Sequence, residues 1–372
     1  MTAPHSKVAF FHQNDVFSTQ GGIERYVATI FEAAPERAAL VTAAGSRRSP
    51  RLFGLEPASL TGAPRWMAFL RAIFAQRKAI AAFLQARGVE VLEFSRPEYV
   101  VAGLLFPGKR VVTIHGTGPG PGNRLHWFVH HAACLLLPFV ADRVQIVGRD
   151  PSGVPGIARL LLGARLAFFD AWHDECFAPA PLPPLAADGP MRVFYAGRIA
   201  PQKNPALLFE IVREAARRAP GALEFHYFGS DFEAFERVDL RDLVADHGFL
   251  GPQALADAMR GCHAGLMCSA FGEGSPYVVV EALACGRPFV LPTLPTLRAT
   301  YARAVGARFV ENQTAADYVM ALLDLRRQML AGGMDPFAIA ADVAPRARAR
   351  AVPALVADLA ALAGNAMEPA SC

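Results

Sequence analysis

Short apolar runs alternate along this chain with longer stretches of helical period. The runs at 8–12, 39–43, 89–94, 110–115, 143–147 and 165–169 are brief and rich in β-branched or aromatic residues, and read as buried strands. Helical patterns separate them, which is the βαβ alternation of a parallel sheet with helices on its faces. Periodicity then fails where Pro179, Pro181, Pro183, Pro184 and Pro190 crowd together, and this stretch is the natural linker. A second βα series runs from Met191 to about Ala340, and a final helical pattern covers 346–362. The fold class predicted is α/β, with two Rossmann-like domains.

Chemistry concentrates in the second series. The stretch 269–288 reads S-A-F-G-E-G-S-P-Y-V-V-V-E-A-L-A-C-G-R-P. Ser275 suits an N-cap, Pro276 the first helical position, and Gly286 a left-handed stop. Apolar runs at 264–268 and 288–291 flank this short helix as strands, which puts Glu273 at the carboxyl edge of a parallel sheet, where open α/β folds bind ligands. Gly274 and Ser275 there offer N–H groups to a phosphate or to sugar hydroxyls, and a glutamate accepts hydroxyl donors. Upstream, the strand 192–196 runs into G-R-I-A-P-Q-K-N-P, with Gly197, Arg198 and Lys203 ahead of an amphipathic helix over 205–219. Two cations at one strand end and a glutamate at another suit a diphosphate.

Together these segments, joined by H-G-F-L-G-P-Q-A-L-A-D-A-M at 247–259, resemble the donor-binding half of the family 4 glycosyltransferases. The resemblance implies the GT-B fold, with two domains facing across a cleft: an acceptor domain at 1–180, a nucleotide-sugar donor domain at 190–345, and a helix in 346–372 crossing back to the first. It implies a retaining hexosyltransferase in which Arg198 and Lys203 hold the donor diphosphate while Glu273 and Glu281 hold donor sugar and ribose. In the first domain the match extends to Q-G-G-I-E-R-Y, where Gly21 and Gly22 would approach the donor phosphate and sugar. His115, ending the strand R-V-V-T-I-H, would stand beside the donor sugar; its bland alternative is a strand-end histidine satisfied by backbone. The segment Phe169-Asp170-Ala171-Trp172-His173 departs from the family's P-N-G-V-D. The family mechanism is a front-face attack in which the leaving phosphate oxygen takes the acceptor proton. No cofactor and no metal are expected, since fixed cations and helix dipoles can stabilise the departing charge.

Composition sets the remaining bounds. With 372 residues, 53% of them hydrophobic and 19% charged, the chain can build two ample cores. The six cysteines, Cys134, Cys176, Cys262, Cys268, Cys285 and Cys372, show no paired spacing and read as reduced thiols. His126 and His130 stand at i, i+4 without the glutamate of a zinc helix, so a core or cleft role is favoured over a metal. The glycines of 116–122 are interrupted by Pro119 and Pro121 and read as a loop. The early apolar run is broken by His12, Gln13, Asn14 and Asp15, which argues against a secretory signal and for the cytoplasm.

A local charge excess adds a partner. From Arg37 to Arg87 there are nine basic residues against one acid, Glu56, while the whole chain carries only +4. Within it, Arg65 to Arg87 forms one amphipathic pattern in which Trp66, Phe69, Leu70, Ile73 and Phe74 interleave with Arg71, Arg77 and Lys78, suited to an anionic membrane surface at the inner face; the ordinary alternative buries one helix face on the sheet. The apolar stretch 127–141 is too short and interrupted to span a bilayer. No nucleic-acid module is present. The expected partners are a nucleotide-sugar and a glycan or lipid-linked glycan acceptor in cell-surface polysaccharide or glycolipid assembly. The rival functions are a nucleotide-sugar epimerase of the same fold and a non-catalytic nucleotide-sugar-binding scaffold.

Overall fold

The computed structural model describes residues 7–19, 21–56, 65–116 and 124–364. Most of the glycine-proline loop at 116–122 and Cys372 lie outside them. The chain forms two compact units, one holding residues up to Val147, Pro151–Phe169 and the helical residues from Arg350, the other Gly148–Asp150 and Asp170–Ala349.

The first unit is built on a seven-stranded parallel sheet of order β3-β2-β1-β4-β5-β6-β7. Its strands are β1 (Lys7–His12), β2 (Ala38–Ala43), β3 (Leu52–Leu55), β4 (Val89–Phe94), β5 (Lys109–Ile114), β6 (Arg143–Val147) and β7 (Leu166–Phe169). Strand β3 escapes the hydrophobic pattern because it is a four-residue, half-buried edge interrupted by Gly54. Helices α1 (Gly22–Ala33), α2 (Arg65–Ala75), α3 (Arg77–Arg87), α4 (Arg124–Val140) and α5 (Gly156–Leu162) complete the described layers with a 3-10 segment, Pro97–Leu105.

The amphipathic pattern of Arg65 to Arg87 resolves differently from expectation. It is two helices, parted at Gln76, where the backbone opens to φ −100° and ψ 13°. Phe69 and Ile73 of α2 and Ile80 and Leu84 of α3 belong to the core, and Trp66 and Leu70 pack against it. Of the five apolar residues proposed to face lipid only Phe74 is exposed. The core of the first unit, and not lipid, takes this face.

The second unit has a six-stranded parallel sheet of order β10-β9-β8-β11-β12-β13. Its strands are β8 (Met191–Ala196), β9 (Leu223–Phe228), β10 (Val244–Asp246), β11 (Ala264–Leu266), β12 (Phe289–Pro292) and β13 (Ala307–Val310), with α6 (Pro205–Arg218) after β8. The proline-rich segment is not a free linker. Fully buried Arg287 donates to Ala180 O at 3.0 Å and Pro181 O at 2.9 Å, and Arg326 donates to Gly189 O at 2.9 Å, so arginines bind that stretch to the second unit. The boundary falls instead between Phe169 and Asp170. Helix Arg348–Gly364 ends the described chain, and its Asp358 pairs with Arg143 of β6 at 2.7 Å.

Candidate functional site

In the second unit, β8 delivers the chain to Gly197, whose φ of 139° strains any side-chain-bearing residue. Nothing lies within 4 Å of where its Cβ would stand, so the backbone is open to close approach. The turn is pinned through main-chain atoms: Tyr227 Oη donates to Gly197 O at 3.0 Å, Tyr195 Oη to Arg198 O at 3.3 Å, and Ile199 N to Asp231 Oδ2 at 3.0 Å. Arg198 itself is exposed and has no ion pair among the described residues. A 3-10 turn, Pro201–Lys203, follows, and left-handed Asn204 caps α6 by accepting from Leu207 N.

Lys203 reaches across to the next strand end. Its Nζ lies 2.6 Å from Glu273 Oε1, which also accepts from Ser269 Oγ at 2.8 Å and Gln202 Nε2 at 3.4 Å. Glu273 is buried, and all three donors end on one oxygen, which leaves Oε2 as an acceptor for a hydroxyl. Sequence reasoning placed Arg198, Lys203 and Glu273 here; it missed Ser269, Gln202 and Asp231, polar residues whose only signal was nearness to the motif.

Ser275 differs from expectation. Helix Tyr277–Ala284 has Pro276 as its N-cap and no side-chain cap. The Ser275 hydroxyl instead accepts from Ala171 N at 3.0 Å and meets Tyr301 Oη at 3.2 Å. This tertiary use of the hydroxyl fixes the loop Gly274–Ser275–Pro276 and moves the helix start on by one residue. The departing segment after β7 therefore has a role, and Asp170 is itself held by Arg149 at 3.0 Å and Arg346 at 3.2 Å. Glu281 lies buried in the helix, and Gly286, at φ 75°, ends it as the left-handed stop predicted.

The first unit carries a second cluster at its own strand ends. His12, ending β1, lies 2.9 Å from Ser95 Oγ through Nδ1 and 3.1 Å from Glu24 Oε1 through Nε2. Asn14 Nδ2 donates to the same oxygen at 2.7 Å. Burial alone would raise the Glu24 pKa, but the bonds and charge of His12 and the bond from Asn14 reverse it and hold it down at about 2. Gly21 and Gly22 begin α1, and a Cβ on Gly21 would overlap the Glu24 carboxylate. The Gly21 φ of 177° is ordinary extended backbone, so this glycine is required by its neighbour's position.

His115 follows β5 edge-on to Tyr26, at 4.8 Å between ring centroids. Its Nε2 is buried without a hydrogen-bond partner, and burial, with His12 adding, pushes its pKa down to about 3. The ring is neutral at pH 7. His12, Glu24, Asn14 and Ser95 were missed as a cluster: Glu24 stands inside the quoted Q-G-G-I-E-R-Y motif, but only the topology joins it to residues as distant as Ser95.

His126 and His130 both turn to Glu98 Oε1, each at 3.1 Å. Among the described residues no group of three or more potential ligands could hold a metal. Cys134, Cys262, Cys268 and Cys285 are buried thiols, and Cys176 is half-buried.

Residues 190–328 match the family model for glycosyl transferases group 1. That span contains Gly197, Arg198, Lys203, Glu273 and Glu281. Solved structures resemble nearly the whole chain. Sucrose-phosphate synthase of Thermosynechococcus elongatus is 19% identical over 96% of this chain and 97% of its own, with a TM-score of 0.68. HepE of Anabaena, with UDP and glucose, is 14% identical over 97% and 100%, with a TM-score of 0.70. The lipopolysaccharide outer core galactosyltransferase WaaB, in its apo form, is 13% identical over 96% and 99%, with a TM-score of 0.64. At these identities the likeness is one of fold, and the fold is GT-B. No curated protein matches the chain by sequence.

Proposed function

We propose that this chain is a retaining, metal-independent glycosyltransferase that moves a hexose from a nucleotide diphosphate to an acceptor hydroxyl, in cell-surface polysaccharide or glycolipid assembly. The observation that carries the reading is the edge of the second sheet, where exposed Arg198 and the Lys203–Glu273 pair stand beside the open backbone of Gly197. The family match over that edge supports sugar transfer, and solved HepE complexes with UDP and with UDP-glucose support a nucleotide-sugar donor.

In this mechanism the bond from the sugar's anomeric carbon to the phosphate oxygen breaks and one to the acceptor oxygen forms on the same face. The acceptor proton passes to the leaving phosphate. Arg198 and Lys203 meet the negative charge as it develops. The N-terminal amides of helix Tyr277–Ala284, with those of Gly274 and Ser275, supply positive dipole, while Pro276, which has no N–H, sets the turn into the helix. Glu273 Oε2 accepts from sugar hydroxyls and Glu281 is assigned to the ribose. Gly21, Gly22 and neutral His115 are assigned to donor phosphate and sugar. The reaction is assigned to the cytoplasm.

The test is turnover with UDP- and GDP-sugars and a lipid or glycan fraction, with product anomers read by NMR. Acceptor-dependent release of nucleoside diphosphate with retained configuration, persisting in EDTA, is the expected result. An inverted product or full loss of activity in EDTA restored by Mg²⁺ overturns the mechanism. Release of free sugar and nucleotide without acceptor identifies the epimerase instead, and tight donor binding with no turnover the scaffold.

A further inference from the structure

The outer surface of α4 departs from the usual amphipathic order. On its inner stripe His130, Cys134 and Leu137 are buried, and His130 is polar and bonded to Glu98. On its outer stripe, Phe128, Ala132, Leu135 and Phe139 recur at i, i+4, i+7 and i+11, and Phe128 and Phe139 are 66% and 76% exposed. The solvent side of this helix is thus apolar as well as the buried side, whereas a surface helix normally turns its polar face outward. Helix α5 packs beside it and exposes Ile157 and Leu160, the latter 76% exposed. Nine of the nineteen large apolar residues exposed in the described chain lie on these two helices. Such a concentration marks an interaction surface.

We propose that the outer face of α4 and α5 docks on an anionic lipid surface. Charge chooses lipid over a protein partner. No Asp or Glu occurs from Arg124 to Ala141 or from Pro151 to Phe169, while Arg124 and Arg159 are exposed within the face. The acid beneath, Glu98, is buried and held by His126 and His130. An aromatic and aliphatic face with cations and no acid lies in the headgroup boundary, its apolar side chains in the acyl edge and its arginines at phosphates. The helix lies on the surface and does not cross it: no helix among the described residues is long and apolar enough to span. This relocates the lipid contact from α2, whose apolar residues are spent on the core, and it stands whether or not the chain transfers sugar.

The test sediments the full chain with vesicles of phosphatidylcholine and phosphatidylglycerol, and with phosphatidylcholine alone. Wild type is expected in the pellet with the anionic vesicles at low salt, partly released by high salt. Phe128→Gln, Leu135→Gln and Phe139→Gln together should weaken binding by about a hundredfold or more, and Arg124→Gln with Arg159→Gln by about tenfold. All five side chains are exposed, so thermal melting should be unchanged. Arg71→Gln, Arg77→Gln and Lys78→Gln together should weaken binding less than the apolar triple; the reverse ranking overturns the assignment. A further readout is quenching of tryptophan fluorescence by brominated lipid, expected in wild type and largely lost in Trp127→Phe, which keeps half-buried Trp66 and buried Trp172. Wild type left in the supernatant overturns the proposal. So does a wild-type dimer that the apolar triple converts to monomer without vesicle binding, which would make the face a contact between copies of this chain.

Discussion

The carboxyl edges of the two sheets each hold a buried glutamate whose protein donors converge on one oxygen, and they prepare it in opposite ways. In the second unit Glu273 takes a full cation, Lys203, and exposed Arg198 remains beside it. In the first unit Glu24 takes a histidine and an asparagine, and the neighbouring His115 is held neutral by burial. The first arrangement keeps positive charge available for an incoming anion. The second satisfies its own charge locally and offers a neutral ring, suited to hydroxyls. Two sheets of the same topology thus differ in whether their edge is tuned for charge or for hydrogen bonding.

The largest expected effect breaks the charged edge. Arg198→Ala and Lys203→Ala should each lower turnover by about a hundredfold, since removing one preorganised donor to a developing charge costs about 3 kcal/mol. Melting temperature should change little for Arg198, whose side chain is exposed. Lys203→Ala also frees Glu273 from its cation, so it should raise KM for donor as well as lower kcat. Near-wild-type kinetics in both variants would falsify the diphosphate assignment.

That edge was the legible one. Arg198, Lys203 and Glu273 are carried by local motifs of fixed spacing, and the strands before them are continuous apolar runs. The first unit's edge is assembled from His12, Glu24 and Ser95, with His12 and Ser95 83 positions apart, so no window of sequence contains it. The assignment of the α2 apolar face to lipid gives way for a related reason. An apolar stripe states that a face will be covered without stating by what, and the sheet took it. Helix α4 shows the converse: its outward stripe was visible as apolar, but only burial reveals that it faces solvent.

The second expected effect is an acid limb in two stages. His115 has its folded pKa pushed down to about 3 from 6.5, so the unfolded chain binds its proton first, and stability falls as pH drops from about 6.5 toward 3. Glu24, lowered to about 2 from 4.5, contributes stability that is present above pH 4.5 and is lost as pH falls toward 2. Glu24→Gln should cost about 2 kcal/mol at pH 7 and flatten the lower stage, while His115→Phe should flatten only the upper. Urea unfolding across pH 2 to 8, taken at about unit steps, reads both. A single stage that neither substitution alters would remove the coupling claimed for this edge.

The smallest effect sharpens the comparison most. Gly21 stands where the family resemblance puts a ligand-approach glycine, yet its backbone is extended and its missing Cβ makes room for the Glu24 carboxylate. Gly21→Ala should therefore cost about 1 kcal/mol, chiefly by displacing a carboxylate that His12 and Asn14 hold, with a few tenths from the poorer N-cap. In a Glu24→Ala background the overlap is gone, and Gly21→Ala should then cost only those tenths. The coupling energy from this double-mutant cycle is the deciding quantity. If the two costs simply add while donor KM rises with Gly21→Ala in either background, the glycine serves the ligand and the two edges are more alike than their charges suggest.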